Sequence, residues 1–219
     1  MLLTKFTHAC VRLEKDGSVL VIDPGTFSEA AEALEAADAV LITHEHADHF
    51  DIEALKAALQ ASAELQIYAP AGVAAVIREA AGSAERIHDA GVGESFEVAG
   101  FAVQTFGGQH ALINPQIPVV ANIGYLIDQN LYHPGDSLIV PAGVQVKNLL
   151  TPIHAPWSKT SEVVDFVSSV RAPRAYQIHD VLLSEVGLKF VEQQISLLAA
   201  PHGVSFQHLA VRESIELEA

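Results

Sequence analysis

The chain has 219 residues, half of them hydrophobic, with 12 Lys and Arg against 27 Asp and Glu for a formal net charge of −15, and it carries 11 histidines. That length and apolar share bury a sizeable core and exclude a disordered chain, while acidity spread along the sequence opposes the phosphate contacts that dominate nucleic-acid binding and disfavours acidic membrane surfaces. A single cysteine, Cys10, excludes an internal disulfide and every cysteine-rich structural zinc site, so a metal here has to sit on His and carboxylate.

No apolar run reaches the roughly 18–20 residues of a membrane-spanning helix. The opening MLLTKFTHAC lacks the cationic head and unbroken apolar stretch of an export signal, which makes the cytoplasm the expected location. The expected partner is a small molecule, with no nucleic acid and no membrane. Oligomeric state stays open, because the apolar share serves a monomer core or a dimer interface equally.

Residues 2–6, 9–14 and 18–22 are short β-rich runs, and Asp16-Gly17 between the last two is a hairpin signal. Asp23-Pro24-Gly25 closes the third run, and the Ala/Glu-rich stretch Ser28 to Ala37 reads as a helix capped by Ser28. Ala39-Val40-Leu41-Ile42 is a continuous apolar strand that runs into Thr43-His44-Glu45-His46-Ala47-Asp48-His49. Helical spacing over Ile52 to Ala61 then places this motif on a strand-to-helix loop. A strand at 65–69, a helix at 71–81 and a hairpin of strands 94–98 and 101–106 follow, after which Gly107-Gly108-Gln109-His110 sets a histidine at a strand end. Strands 122–128 and 130–133 flank Gln129 and deliver His133-Pro134-Gly135-Asp136, and strand 146–150 ends in Thr151-Pro152-Ile153-His154. The last quarter reads helix 160–170, strand 174–178 ending at His179, helix 184–199 and a short terminal strand near 205–212.

Helices and strands alternate without a linker, a low-complexity tract or a repeat at residue level, which reads as one α/β domain over residues 1–219. His44, His110, Asp136, His154 and His179 each follow a strand, and strand ends from several parts of a sheet system converge on one rim. His-x-His-x-Asp-His puts three imidazoles and a carboxylate within six residues. In an extended loop residues 44 and 46 point the same way, while Asp48 and His49, at the start of the following helix, turn toward a neighbouring point, so one loop serves two metal ions. Four donors are too few for two such ions, and His110, Asp136 and His179 are placed to add more.

His8-Ala9, Val21-Ile22-Asp23-Pro24, the His44–His49 motif, His110, Pro134-Gly135-Asp136-Ser137 and Ile178-His179-Asp180, in that order over essentially the whole length, resemble the metallo-β-lactamase superfamily. Within it the chain is similar to the small metal-dependent hydrolases that include L-ascorbate-6-phosphate lactonase and uncharacterised bacterial relatives. The resemblance implies a four-layer αββα sandwich of two similar halves, with the site at one edge of the paired sheets. It implies that His44, His46 and His110 hold a first metal and Asp48, His49 and His179 a second, with Asp136 bridging. His8 and Asp23 match positions beside the site, Asp23 as an acceptor for a ligand histidine N–H. Two segments depart from the pattern: His154-Ala155-Pro156-Trp157 stands in place of Gly-rich sequence, and Asp180-Val181-Leu182-Leu183 in place of the Trp-Gly of the lactonase type.

Two divalent cations, two aspartates and one hydroxide sum to roughly +1, a positive focus inside an acidic protein. The expected activity is hydrolysis of an ester, lactone or phosphodiester bond in a small molecule by a metal-bridging hydroxide. Asp48 is the expected catalytic group that orients the nucleophile, and His154 or His8 the proton donor to the leaving group. Zinc is the expected metal, with manganese, iron and nickel accepting the same ligand types. The alternatives are an iron-dependent sulfur or persulfide dioxygenase and a non-catalytic metal-binding module; a nuclease of the RNA-processing branch would need an RNA-docking arm and a basic face. Trp157 reads either as lining the pocket mouth or as packing, Cys10 as inert core, and His88, His202 and His208 as structural or surface residues.

Overall fold

The computed structural model describes residues 1–82 and 84–218. The first half runs β1 (Leu2–Lys5), β2 (Val11–Lys15), β3 (Ser18–Ile22), α1 (Ala30–Ala33), β4 (Ala39–Leu41), α2 (Ile52–Ala61), β5 (Gln66–Ala69), α3 (Ala71–Ala81) and β6 (Ile87–Asp89). The second runs β7 (Ser95–Val98), β8 (Phe101–Gly107), β9 (Ile123–Ile127), β10 (Leu131–His133), β11 (Asn148–Pro152), α4 (Thr160–Val170), β12 (Arg174–Ile178), α5 (Glu185–Ala199), β13 (Ser205–Gln207) and β14 (Ser214–Glu216).

The strands form two seven-stranded sheets, β14-β1-β2-β3-β4-β5-β6 and β13-β12-β11-β10-β9-β8-β7. In the first, β1, β2 and β3 form an antiparallel meander and β3 to β6 are parallel; in the second, β7 to β10 are antiparallel and β10 to β13 parallel. Each half therefore has the same plan, and β14 leaves the second half to close the first sheet beside β1.

Side-chain alternation sorts these strands into layers. Leu20 and Ile22 of β3 meet Phe101, Tyr125 and Tyr176 in a core between the sheets. Val19 and Val21 of the same strand face outward onto Leu55 of α2 and Ile77 of α3. In the second sheet Leu126, Leu149 and Ala175 face outward onto Val163 and Phe166 of α4 and Ile195 of α5. Three cores separated by two sheets make a four-layer αββα sandwich. Strands buried on both faces explain the continuous apolar runs at 39–42 and 123–127.

Two expectations are corrected and one strand is added. The helix from Ser28 to Ala37 contracts to α1, because the Ser28 hydroxyl donates to the Gly25 carbonyl (2.8 Å) instead of capping, and Ala36 turns left-handed at φ 54° to enter β4. The short β6, too brief for a sequence signal, pairs Ile87 with Ile67 at the sheet edge. The terminal strand near 205–212 is two strands, β13 and β14, one in each sheet. Among the described residues no helix is long and apolar enough to cross a membrane.

Candidate metal centre

The loops leaving β3, β4, β8, β10 and β12 carry Asp23, His44 to His49, His110, Asp136 and His179, and these side chains meet on one rim of the sandwich. Asp48 and His49 lie in a turn ahead of α2, not at its start: the helix begins at Ile52, with Asp51 accepting from the Glu53 and Ala54 N–H groups. Asp23-Pro24-Gly25 supports that turn from below. Thr26 N donates to the Ala47 carbonyl (2.8 Å) and Asp51 N to the Pro24 carbonyl (2.9 Å). A Cβ on Gly25 would occupy the place of the Asp48 carbonyl, so glycine is required for this close approach.

Two groups of donors result. His44, His46, His110 and Asp136 bring one ligand atom each within 4.8 Å of one another, and so do His8, Asp48, His49 and His179. Asp136 lies between the groups. Its Oδ2 is 3.2 Å from His110 Nε2 and 3.1 Å from His179 Nε2, and its Oδ1 is 3.1 Å from His49 Nε2. His44 Nε2 and His46 Nδ1 are 3.1 Å apart, so residues 44 and 46 do point to one place.

The far nitrogen of four of these rings is anchored. His49 Nδ1 meets Asp23 Oδ2 (2.7 Å), His110 Nδ1 the Ala111 carbonyl (2.6 Å) and His179 Nδ1 the His154 carbonyl (2.7 Å). His44 Nδ1 lies 3.0 Å from Thr43 Oγ1, whose own proton goes to Asp23, so the hydroxyl accepts from the ring. Acceptors at Nδ1 hold the proton there and leave Nε2 as a free lone pair aimed inward. Inside the cluster His49 Nε2, Asp136 Oδ1 and His179 Nε2 are buried without a hydrogen-bond partner. Buried polar atoms seldom go unpaired, and this inward set of imidazole nitrogens and carboxylate oxygens fits divalent cations.

Charge is arranged to the same end. Burial pushes the Asp136 carboxyl up, but His49 and His179 hold it well below the usual carboxylate range. Burial also raises Asp48, and the hydrogen bond from His8 with the charge of His49 reverses this, leaving it at about 2. Burial and neighbouring His49 press His44 well below its ordinary value, so it stays neutral and able to ligate. His49 is pulled the other way: desolvation lowers it, but Asp136 and Asp23 hold it well above its ordinary value, so a cation at its Nε2 has to displace a proton there. Two ionised carboxylates thus sit among six imidazoles, a donor set for cations.

Supporting residues outside the motif are less legible in the sequence. Asn122 accepts from Asp136 N (3.0 Å) and donates to the Pro134 carbonyl (2.8 Å), and His133 donates to the Ala9 carbonyl (2.9 Å) while accepting from Gly135 N (3.1 Å). Together they shape the turn that presents Asp136. Buried Lys5 donates to the Phe6 and His8 carbonyls (2.7 and 3.2 Å) and pairs with Asp180 (3.3 Å). It holds the main chain of His8, which sits at φ 65° and places its Nε2 3.0 Å from Asp48 Oδ2. Trp157 donates its indole N–H to Asp136 Oδ2 (3.0 Å), so it belongs to the site and not merely to packing. His154 enters through its carbonyl on His179. His88 meets Gln66 and stacks on Tyr68, and exposed His208 meets Glu192, both away from the cluster.

The model of the beta-lactamase superfamily domain matches residues 2–179. A Mycobacterium tuberculosis protein named Rv0786c is 40% identical over 189 residues, covering 84% of this chain and 86% of its own length. Among solved structures, Igni18, a metallo hydrolase from Ignicoccus hospitalis, superposes with a TM-score of 0.73 at 16% identity over 99% of both chains. CmlA, a diiron beta-hydroxylase from Streptomyces venezuelae, gives 0.74 at 16% identity over 99% of this chain and 54% of its own.

Proposed function

The chain belongs to the beta-lactamase superfamily, and from that premise we propose that it is a dinuclear metal-dependent hydrolase of a small molecule, with zinc as its metal. His44, His46 and His110 would hold one ion and Asp48, His49 and His179 the other, with Asp136 shared between them. The observation that carries this reading is the anchoring of four rings at Nδ1 together with the unpaired nitrogens and carboxylate oxygen facing inward.

Two divalent ions bound there supply Lewis acidity and bring the pKa of water toward about 7. The chain's own groups do the rest. Asp48, held by His8 at 3.0 Å and left ionised, orients the attacking water and accepts its proton. Trp157, through its bond to Asp136, holds that carboxylate in place and shields it from solvent. His154, on the loop that anchors His179, is the proton donor to the leaving group. The bond cleaved is an ester, lactone or phosphodiester.

The test is elemental analysis of purified protein followed by assays on 4-nitrophenyl esters, lactones and bis(4-nitrophenyl) phosphate. Close to two metals per chain is expected, with activity lost on chelation and regained with zinc. Asp48→Asn, reloaded with metal, is expected to lose about 100-fold or more in kcat. Protein that takes up no metal on reconstitution overturns the centre, and full activity of a reloaded Asp48→Asn overturns the role of Asp48. Recovery with iron alone, together with oxygen consumption, moves the assignment to an oxidoreductase.

A further inference from the structure

We infer that the substrate is an uncharged ester or lactone with an apolar arm, seated on a rim of Phe27, Leu112, Ile117, Val119 and Trp157 beside the metal centre. This rests on the hydrolase reading above and narrows it to a substrate class. Three observations carry it.

The first is where apolar side chains are left in water. Phe27 is 46% exposed, and its ring centroid lies 5.4 Å from that of His8 in an edge-on contact. The Trp157 ring is 5.8 Å from His110 and 6.1 Å from His179, and its hydrogen bond to Asp136 fixes the ring's orientation. The segment after His110 is pinned at both ends to the site, with Ala111 N on the Asp136 carbonyl (2.8 Å) and His110 N on the Val120 carbonyl (2.9 Å). It carries Leu112, Ile117 and Val119 at 55%, 45% and 47% exposure. Single exposed apolar residues are ordinary, but four on segments that border one centre, with half-buried Trp157 beside them, mark a binding surface.

The second is composition. Residues 98–127 contain no Asp, Glu, Lys or Arg, in a chain where 18% of residues are charged. The β9 portion is buried throughout and β8 on alternate positions, yet residues 114–119 are exposed and carry no charge either. An exposed loop without charge suits contact with an apolar arm.

The third is where the cations are. Recognition of a phosphate or carboxylate on a substrate arm calls for an Arg or Lys free to meet it. Lys5 is buried on carbonyls and Asp180 and Arg212 is paired with Glu32, while Lys159, exposed just ahead of α4, points to Glu162 of its first turn. Lys147 and Arg171 precede β11 and β12, at the end of the sheet opposite the site, and Lys189 lies on α5. The others pair with carboxylates or carbonyls elsewhere. An anionic arm would be opposed by Glu45, the exposed carboxylate on the motif loop. Among the described residues, the rim therefore favours an apolar, neutral arm.

The experiment keeps the leaving group constant and varies the arm. Zinc-loaded protein is assayed with 4-nitrophenyl hexanoate, acetate and hemisuccinate, and with bis(4-nitrophenyl) phosphate. Hexanoate is expected to exceed acetate in kcat/KM by about tenfold, the gain of seating part of four added methylenes on apolar surface, and to exceed hemisuccinate by more. In Leu112→Ser/Ile117→Ser the hexanoate-to-acetate ratio is expected to fall toward one. Hemisuccinate or the phosphodiester at or above hexanoate overturns the inference and leaves the hydrolase reading standing. If a protein with two zincs per chain turns over none of them, the hydrolase reading falls, and the rim is decided by binding alone. Trp157 is the chain's one tryptophan, so its emission reports on this site. A saturable change with γ-decalactone, and none with phenyl phosphate, supports the rim; the reverse removes it.

Discussion

Asp23 shows how one side chain organises a centre it does not enter. Its carboxylate accepts from Thr43 N (2.8 Å), Thr43 Oγ1 (2.7 Å) and His49 Nδ1 (2.7 Å), so it sets the exit of β4 and the orientation of the His49 ring at once. Asp23→Asn leaves an amide that cannot accept at every one of these positions. The expected result is metal affinity lower by about 10–100-fold, read by competition with a chromophoric chelator. Affinity unchanged in that titration would remove Asp23 from the support of His49. The place of Asp23 beside the site is legible because it travels with an intact Val-Ile-Asp-Pro segment. Asn122 has no such signature: its amide acts on a turn reached only after β9 and β10, and nothing in its neighbours separates it from any other loop asparagine. Cys10 illustrates the opposite case. Burial raises its thiol to about 12, so at pH 8 the thiolate is about one part in 10⁴, against about a quarter for an ordinary thiol of pKa 8.5. Native protein is expected to resist a disulfide reagent that labels it at once in denaturant.

Elements are legible where their signals agree with their packing. The α2 and α3 helices keep apolar residues on one face, Leu55 and Leu59 in the one, Val73, Ala74 and Ile77 in the other, and both ranges follow from spacing alone. The α1 segment misleads because helix propensity and a serine were both present, but the serine was already committed to the turn below the metal loop. Turns are less legible than helices because what they serve lies elsewhere in the chain. Gly135 is the clearest case, at φ 62°, with Asn122 Oδ1 and Thr43 in the space a Cβ would fill. Gly135→Ala combines a left-handed backbone with a clash against buried polar atoms, an expected cost of about 2–3 kcal/mol. Urea denaturation of the metal-free protein measures this. The same variant is expected to bind metal weakly, since Asp136 follows directly, whereas Gly143→Ala, at φ 77° with nothing near its added carbon, is expected to cost about 1 kcal/mol and to leave metal binding intact.

At the scale of the molecule, the fold class is readable from the alternation of strands and helices, but the repetition of one plan in both halves is readable only through the family resemblance, not from the residues themselves. Antiparallel strands followed by parallel ones recur in each sheet without recurrence of residues, because any apolar sequence with the right period fills either core. The halves meet in two ways: through the core between the sheets, and at the rim. His44, His46, Asp48 and His49 leave the first sheet, while His110, Asp136 and His179 leave the second. Ions held by these residues would tie the two sheets together across the end of the sandwich, since each proposed site draws donors from both halves. Metal binding to the folded chain and not to the unfolded one stabilises by about 2.7 kcal/mol per site at 100 times Kd. Two sites in a chain of this size correspond to about 10–20 °C in Tm. Calorimetry with zinc and then with excess chelator is expected to show that fall, and Asp136→Asn, which removes the shared donor, to lose most of the difference. A Tm insensitive to chelation would mean that the sheets are held by their core alone and that the rim bears no metal-dependent link between them.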